Sequence, residues 1–517
     1  MDEAWSALST FHARSVATAG NRDSVLEREL VRDFITHVPI PAIFGCLQQA
    51  SDAGEAKQVK LVCQCLERIF QSPLGADILF QEEMLPFLLA GVEHPEPAAR
   101  KLTLDMLDHQ LLPQYHDRVS DEALLQAISS CILDEDPGIA RKASDILLKM
   151  VSTPETGHYH NILRLLSEFL KEHLPELSRD NSVEYVRLLE TIAKLSSVGD
   201  EITRESAGRG LLQPILEGIT SKDSLFQLNI LDIIPVICTT KAGLQIVFES
   251  DMLTHLIQTA QDPFIGGASL RLIGQFSTKA AAAGITSWNW SNAALSKAFL
   301  SAIELSFQTG DLLQKIAAMD AIAAFASASV NELGLLLQHK TLMALFLQCA
   351  TSTVLEVKAN CFMAVATILA RPTRLGASAN AVPDEAAVIW EHHEALFRAL
   401  GASRPSTMHL LMDTLRQPFE EIRVAVYTLL QAVTAQGHPW GVRTLLTYGG
   451  FVEYLLDRST EPTKTTREWK FALVDGLLAS SYRHLLGAPQ RQDLDGFLAQ
   501  GPYAGKSGRA ELLLESA

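Results

Sequence analysis

Cysteine is scarce in this 517-residue sequence, and its number is odd. Seven thiols (Cys46, Cys63, Cys65, Cys131, Cys238, Cys349 and Cys361) are scattered among apolar neighbours, a pattern that excludes a disulfide scaffold and suits reduced thiols used as small core residues. Positive charge is also in short supply. Lys plus Arg number 43 against 60 Asp plus Glu, a net charge of −17. Clustered positive charge is what binds phosphate backbones, so nucleic acid and anionic membrane are excluded as expected partners. No long hydrophobic run is present either. The longest, Ile316 to Val330, is interrupted by Asp320 and falls short of the roughly 20 residues that cross a bilayer. The first residues, Met1 to Trp5, are acidic and no apolar stretch follows, so the expected location is the cytoplasm, with the nucleus open to it as well.

Catalytic and metal-binding patterns are missing too. Cys63 and Cys65, two apart on a helix, project in different directions, and no second pair stands at zinc-finger spacing. His158 with His160, and His392 with His393, lack a matched carboxylate pair. Gly505 to Gly508 (GKSG) has no strand before it, and Gly208 with Gly210 lacks the third glycine of a dinucleotide loop. There is no G-x-S-x-G elbow. The expectation is a protein with no cofactor, no metal and no enzymatic activity.

What is present is helix. Apolar residues recur three and four apart almost throughout, and Pro, Gly, Asp and Ser punctuate the runs. A repeat emerges when segments are aligned on a turn, a basic residue, a small or apolar residue three later and an aliphatic one seven later. HPEPAARKLTLDML supplies Arg100, DEDPGIARKASDIL Arg141, TGDLLQKIAAMDAIAAF Lys315, TSTVLEVKANCFMAVATIL Lys358 and QPFEEIRVAVYTLL Arg423, with weaker copies at Gln227 and Arg271. The steps are 41, 86, 44, 44, 43 and 65 residues, the second being two periods. That is the HEAT or armadillo interval of about 40 to 47 residues. The expected fold is an all-α HEAT/armadillo-like helical-repeat solenoid of about eleven or twelve helical pairs. Residues 1–370 form the N-terminal and central repeats and 387–500 the C-terminal repeats. Between them, 371–386 reads as an exposed inter-repeat loop and a preferred protease site, and 501–517 as a tail.

Two columns follow from the repeat. The basic residues, with acids near the turn such as Asp136 or Glu356, read as ion pairs joining one repeat to the next. Five positions further on, on the solvent side of the same helices, stand Asp105, Asp232 and Asp320, with Asp145 four after Arg141. In such stacks the second helix of each pair lines the concave side, so these four acids form a candidate partner-binding track for a basic surface.

The C-terminal part is more specific. HPWGVRTLLTYGGFVEYLLDRSTEPTKTTREWKFALVDGLL (His438 to Leu478) and QGPY (Gln500 to Tyr503), preceded by VFESDML (from Val247), QDPF (from Gln261) and RQPFEEIR (from Arg416), resemble the 26S proteasome non-ATPase regulatory subunit 5 family in order and spacing. The resemblance implies an assembly chaperone of the 19S regulatory particle. Such a protein binds the C-terminal domain of one proteasomal AAA ATPase subunit of the base, in a module with a second ATPase subunit and a large non-ATPase scaffold subunit. It leaves before or as the mature 26S particle forms. Within these motifs Phe451, Tyr454, Leu455 and Trp469 read as packing the last helices rather than touching a partner. The alternative is an armadillo or HEAT adaptor or scaffold of the nuclear-import or phosphatase type, binding other proteins. Import adaptors show Trp and Asn ladders at the repeat length; here Trp288 with Asn292 has that spacing once.

Overall fold

The computed structural model describes residues 2–18, 24–72, 74–75, 78, 82–111, 121–152, 158–180, 182–285, 293–370 and 383–503. Among these residues the regular structure is helical, and no strand occurs. The chain divides into two compact units, Met1–Gly243 and Leu244–Ala517.

Each unit has one layer of mostly long helices stacked side by side. In the N-terminal unit these are α1 (Ala56–Gln71), α2 (Pro97–Met106), α3 (Pro137–Val151), α4 (Val183–Ser196) and α5 (Ser224–Ile237), each packed on the next. In the C-terminal unit they are α6 (Gly266–Ala282), α7 (Leu312–Ala326), α8 (Leu355–Leu369), α9 (Glu420–Thr434) and α10 (Lys464–Ala479), again in sequence. A second layer lies against them. Leu85–Val92, Glu122–Ser130 and Tyr159–Asp180 adjoin in the first unit, and Met252–Gln258, Ala293–Thr309, Lys340–Gln348 and Pro383–Leu400 in the second. This is a helical-repeat solenoid, as the period of the sequence predicts.

Helix α3 shows how the pattern becomes structure. Ile139, Ala140, Ala143, Ile146, Leu147 and Met150 fall three and four apart and are all buried. Asp136 accepts a hydrogen bond from the Gly138 amide at 2.7 Å, and Pro137 occupies the first turn, where its missing N–H costs nothing. Asp223, Asp311, Ser182 and Thr463 cap α5, α7, α4 and α10 in the same way. Within the long-helix layer α6 and α7 pack closely. A Cβ placed on Gly274 would stand 2.9 Å from the Ala321 carbonyl oxygen and 3.1 Å from the Ala324 Cβ, so the two helices approach where glycine faces alanine.

The expected loop 371–386 lies outside the described residues as far as 382. The helix that follows begins at Pro383, four residues before the expected start of the C-terminal repeats at 387, with proline at its first position. Of the expected tail, Gly501 to Tyr503 are described. Arg458 ties this start down, donating to the Gly501 and Phe497 carbonyls at 2.6 and 2.8 Å. The glycine loop Gly505 to Gly508 and the Trp288–Asn292 pair lie outside the described residues.

Candidate protein-docking surface

The basic column sits in the opening turns of the long helices, and its best-formed members reach forward to the next turn. Arg100 on α2 pairs with Asp134 ahead of α3 (Nε to Oδ2, 2.7 Å) and also donates to the carbonyls of His94 and Pro95. Arg423 on α9 does the same with Glu461 ahead of α10 (Nη2 to Oε2, 2.7 Å) and donates to the Thr460 carbonyl at 2.6 Å. These pairs join repeats, as expected, but through Asp134 and Glu461. Asp136 instead caps its own helix.

The two-period gap in the column is filled by Arg187 on α4, which the alignment missed. Its guanidinium donates to the Asp134 carbonyl at 2.7 Å, so the turn before α3 is held from both neighbouring helices. The register slips by one on α4: Thr191, four after Arg187, meets Ser144, three after Arg141, with 2.8 Å between hydroxyl oxygens.

Of the four candidate acids, Asp145, Asp232 and Asp320 are exposed and Asp105 is half-buried, which places all four on the outward side of the long-helix layer. Two are paired within it. Asp105 on α2 meets Lys142 of α3, and Asp320 on α7 accepts from Arg271 Nε of α6 at 2.8 Å. A further pair, Asp108 with Lys149, extends the first contact. The same position on α8 and α9 holds Met363 and Thr428, so the acidic run does not continue there.

A buried polar cluster of the C-terminal unit lies under Phe451–Leu456, α9 and α10. Glu461 is buried and accepts from Tyr454 at 2.8 Å, from Tyr427 and from Arg423. Lys470, also buried, donates to the Asp457 carbonyl and the Thr460 hydroxyl at 2.7 Å each and lies over the Tyr454 ring, 4.3 Å from its centre. Burial pushes the Lys470 ammonium down to about 8 from its usual 10.5, and pushes the Tyr454 phenol up to about 12. Tyr427 is raised as well, first by burial and then by its tyrosine and glutamate neighbours. Phe451 and Leu455 are buried, Tyr454 is half-buried and Trp469 lies on the half-exposed side of α10, in keeping with a packing role for the first three.

Among the described residues no group of three or more His, Cys, Asp or Glu side chains could hold a metal. Cys63 and Cys65 are both buried, and His160 pairs with Glu205 at 2.6 Å. No single described helix is long and apolar enough to cross a membrane.

The chain matches the proteasome non-ATPase 26S subunit family over residues 14–510. It belongs to that family. It is 24% identical over 475 residues to the 26S proteasome non-ATPase regulatory subunit 5 of Bos taurus, covering 89% of this chain and 88% of that protein. The Homo sapiens protein of the same name is 24% identical over 478 residues, with the same coverages. A proteasome-related role follows for this family member. Crystal structures of Kap121p share the fold: one aligns over 98% of this chain and 56% of that one, with a TM-score of 0.51 and 11% identity. A mutant form of Kap121p aligns over 88% of this chain and 48% of that one, with a TM-score of 0.51 and 12% identity. Of the residues that build the Glu461 cluster, Arg423, Tyr454, Glu461 and Lys470 fall within the motifs that carry the resemblance to the subunit 5 family, and Tyr427 lies between two of them.

Proposed function

We propose that this protein is a non-catalytic chaperone for assembly of the base of the 26S proteasome regulatory particle. In this reading it binds the C-terminal domain of an AAA ATPase subunit, within a module that holds a second ATPase subunit and a large non-ATPase scaffold subunit. It is released before or as the mature particle forms. The reading puts the protein in the cytoplasm and nucleus, where those partners assemble. The observation that carries it is family membership over almost the whole chain, joined to a repeat stack that offers a long side-chain surface. Exposed Asp145 and Asp232 supply negative charge on that surface, beside Asp105 and Asp320, which share theirs with Lys142 and Arg271, and the acids complement a basic partner face.

The test is association of the purified chain with recombinant proteasomal ATPase C-terminal domains, measured kinetically at several salt concentrations. One domain should bind, with an on-rate that falls as salt rises. Changing Asp105, Asp145, Asp232 and Asp320 together to Lys should slow association and flatten the salt dependence while helical content is unchanged. Failure of every ATPase domain to bind would sink the proposal. An unaltered on-rate in the four-fold variant would remove these acids from the interface and leave the chaperone reading to other surfaces.

A further inference from the structure

The turns that open the long helices carry an unusual residue choice. In the C-terminal unit four successive long helices begin with a large apolar side chain in solvent. Phe264 before α6 is 76% exposed, Leu313 at the start of α7 71%, Val354 before α8 43% and Phe419 before α9 42%. The N-terminal unit, taken by itself, repeats the choice with Val183 at the start of α4 and Leu225 at the start of α5. Scattered exposed apolar residues are ordinary. Recurrence within two residues of the start of four successive long helices is not.

Local stability does not explain the choice. Val354 and Phe419 occupy the N-cap positions of α8 and α9, where no side chain caps the helix, although Ser, Thr, Asp or Asn would each bond an open amide there. Other long helices of the chain do use such caps. Val354 and Phe419 therefore stand where folding alone favours polar residues, whereas Phe264 precedes the N-cap of α6 and Leu313 follows that of α7.

Acids surround them. Asp262 and Asp311 lie two residues before Phe264 and Leu313, Glu356 two after Val354, and Glu420 and Glu421 directly after Phe419. A hollow of about 320 Å³ opens beside Val354, walled by Phe307, Leu345, Val357 and Lys315. Because α6, α7, α8 and α9 pack in order, their opening turns step along one edge at roughly 8–10 Å intervals. Seven residues of an α-helix rise about 10 Å. Same-face residues of an extended strand fall at about 7 or 13 Å and miss that interval.

We propose that this edge of the C-terminal unit is a docking ladder for an amphipathic helix of a partner protein, with an apolar residue at every seventh position and Lys or Arg beside them. Its apolar side chains meet Phe264, Leu313, Val354 and Phe419, one of them entering the hollow by Val354. Its basic residues meet the five acids. The ladder is distinct from the acidic column on the outward faces of the helices, and it does not depend on the partner being an ATPase subunit.

The test uses the full chain and a synthetic helical peptide of about four heptads, with Leu at every seventh position and Lys or Arg flanking it. Two control peptides replace the basic residues by Glu, or recast the sequence as a proline-rich helix of three residues per turn. The basic helical peptide should bind, the two controls should bind at least tenfold more weakly, and Phe264→Ser, Leu313→Ser, Val354→Ser and Phe419→Ser combined should weaken binding at least tenfold. Because these side chains are exposed, circular dichroism should be unchanged; if the combined variant loses helix, Leu313→Ser alone must still weaken binding at least threefold. Equal binding by the variants, preference for the proline-rich peptide, or a self-association of the chain that the substitutions abolish while the peptide does not bind would each overturn the proposal.

Discussion

Arg423 and Glu461 are both buried and stand 2.7 Å apart, one on α9 and the other in the turn that leads into α10. Glu461 is also the acceptor for two phenols and lies 4.0 Å from the Lys470 ammonium. Replacing Glu461 by Ala leaves two buried cations without their carboxylate. The expected loss is about 3–5 kcal/mol of stability, read as a lower urea midpoint. Asp320→Ala, which breaks the exposed pair with Arg271, should cost less than about 1 kcal/mol. Equal losses would show that burial does not set the strength of these contacts.

Lys470 gives the same cluster a pH signature. Its pKa falls from 10.5 when unfolded to about 8 when folded, so between those values the unfolded chain holds more protons. Stability therefore rises with pH across that window, and the burial penalty is fully present below pH 8. Tyr454 works the other way above its usual 10.0, because its folded pKa is about 12. Unfolding free energies of the wild type and Lys470→Met, measured from about pH 7 to 10, should differ in slope, with the wild type gaining stability relative to the variant as pH rises. Parallel curves would place the ammonium in solvent.

The thiols should be silent in the folded protein. Burial pushes Cys63 up to about 11, and Cys65 and Cys131 up to about 12, and a buried thiol is both protonated and shielded. With an alkylating reagent at about pH 8 these three cysteines should stay unmodified for as long as the fold is intact, then react together in denaturant. Rapid labelling of any of them in the native protein would contradict the packing.

At the α6–α7 contact, Gly274→Leu should be the costlier of two glycine replacements. A side chain there meets the backbone of Ala321 at 2.9 Å, and overpacking of this kind costs about 1–3 kcal/mol. At Gly449, where a Cβ meets nothing within 4 Å, Gly449→Ala should shift the thermal midpoint little.

The repeat period was enough to foresee the stack and the solvent side of its helices, because a spacing of about 43 residues and a three-four apolar rhythm leave few other ways to bury the stripes. Arg100 and Arg423 were legible as inter-repeat ties. Arg187 was not, since the slip that brings Thr191 rather than Glu190 against Ser144 moves α4 out of the alignment. Nor could the sequence mark Glu461 as buried. In STEPT it looks like an ordinary turn acid, and only the convergence of Tyr427, Tyr454, Arg423 and Lys470 from three helices removes it from water. Lys142, which faces Asp105 from the neighbouring repeat, carries no sequence sign of that pairing, and Arg271, though part of the basic column, does not point in sequence to Asp320 as its partner.

Arg100, Arg187 and Arg423 each reach across to a neighbouring repeat's turn. In a quasi-one-dimensional array such ties make the unfolding of one unit depend on the unit beside it. The end of an array, with a neighbour on one side only, is where fraying starts. A buried network between α9 and α10 works against that, because parting these two helices must strip a carboxylate of all its donors. Hydrogen exchange should accordingly be slower in α9 and α10 than in α6 and α7, whose tie, Arg271 with Asp320, is exposed.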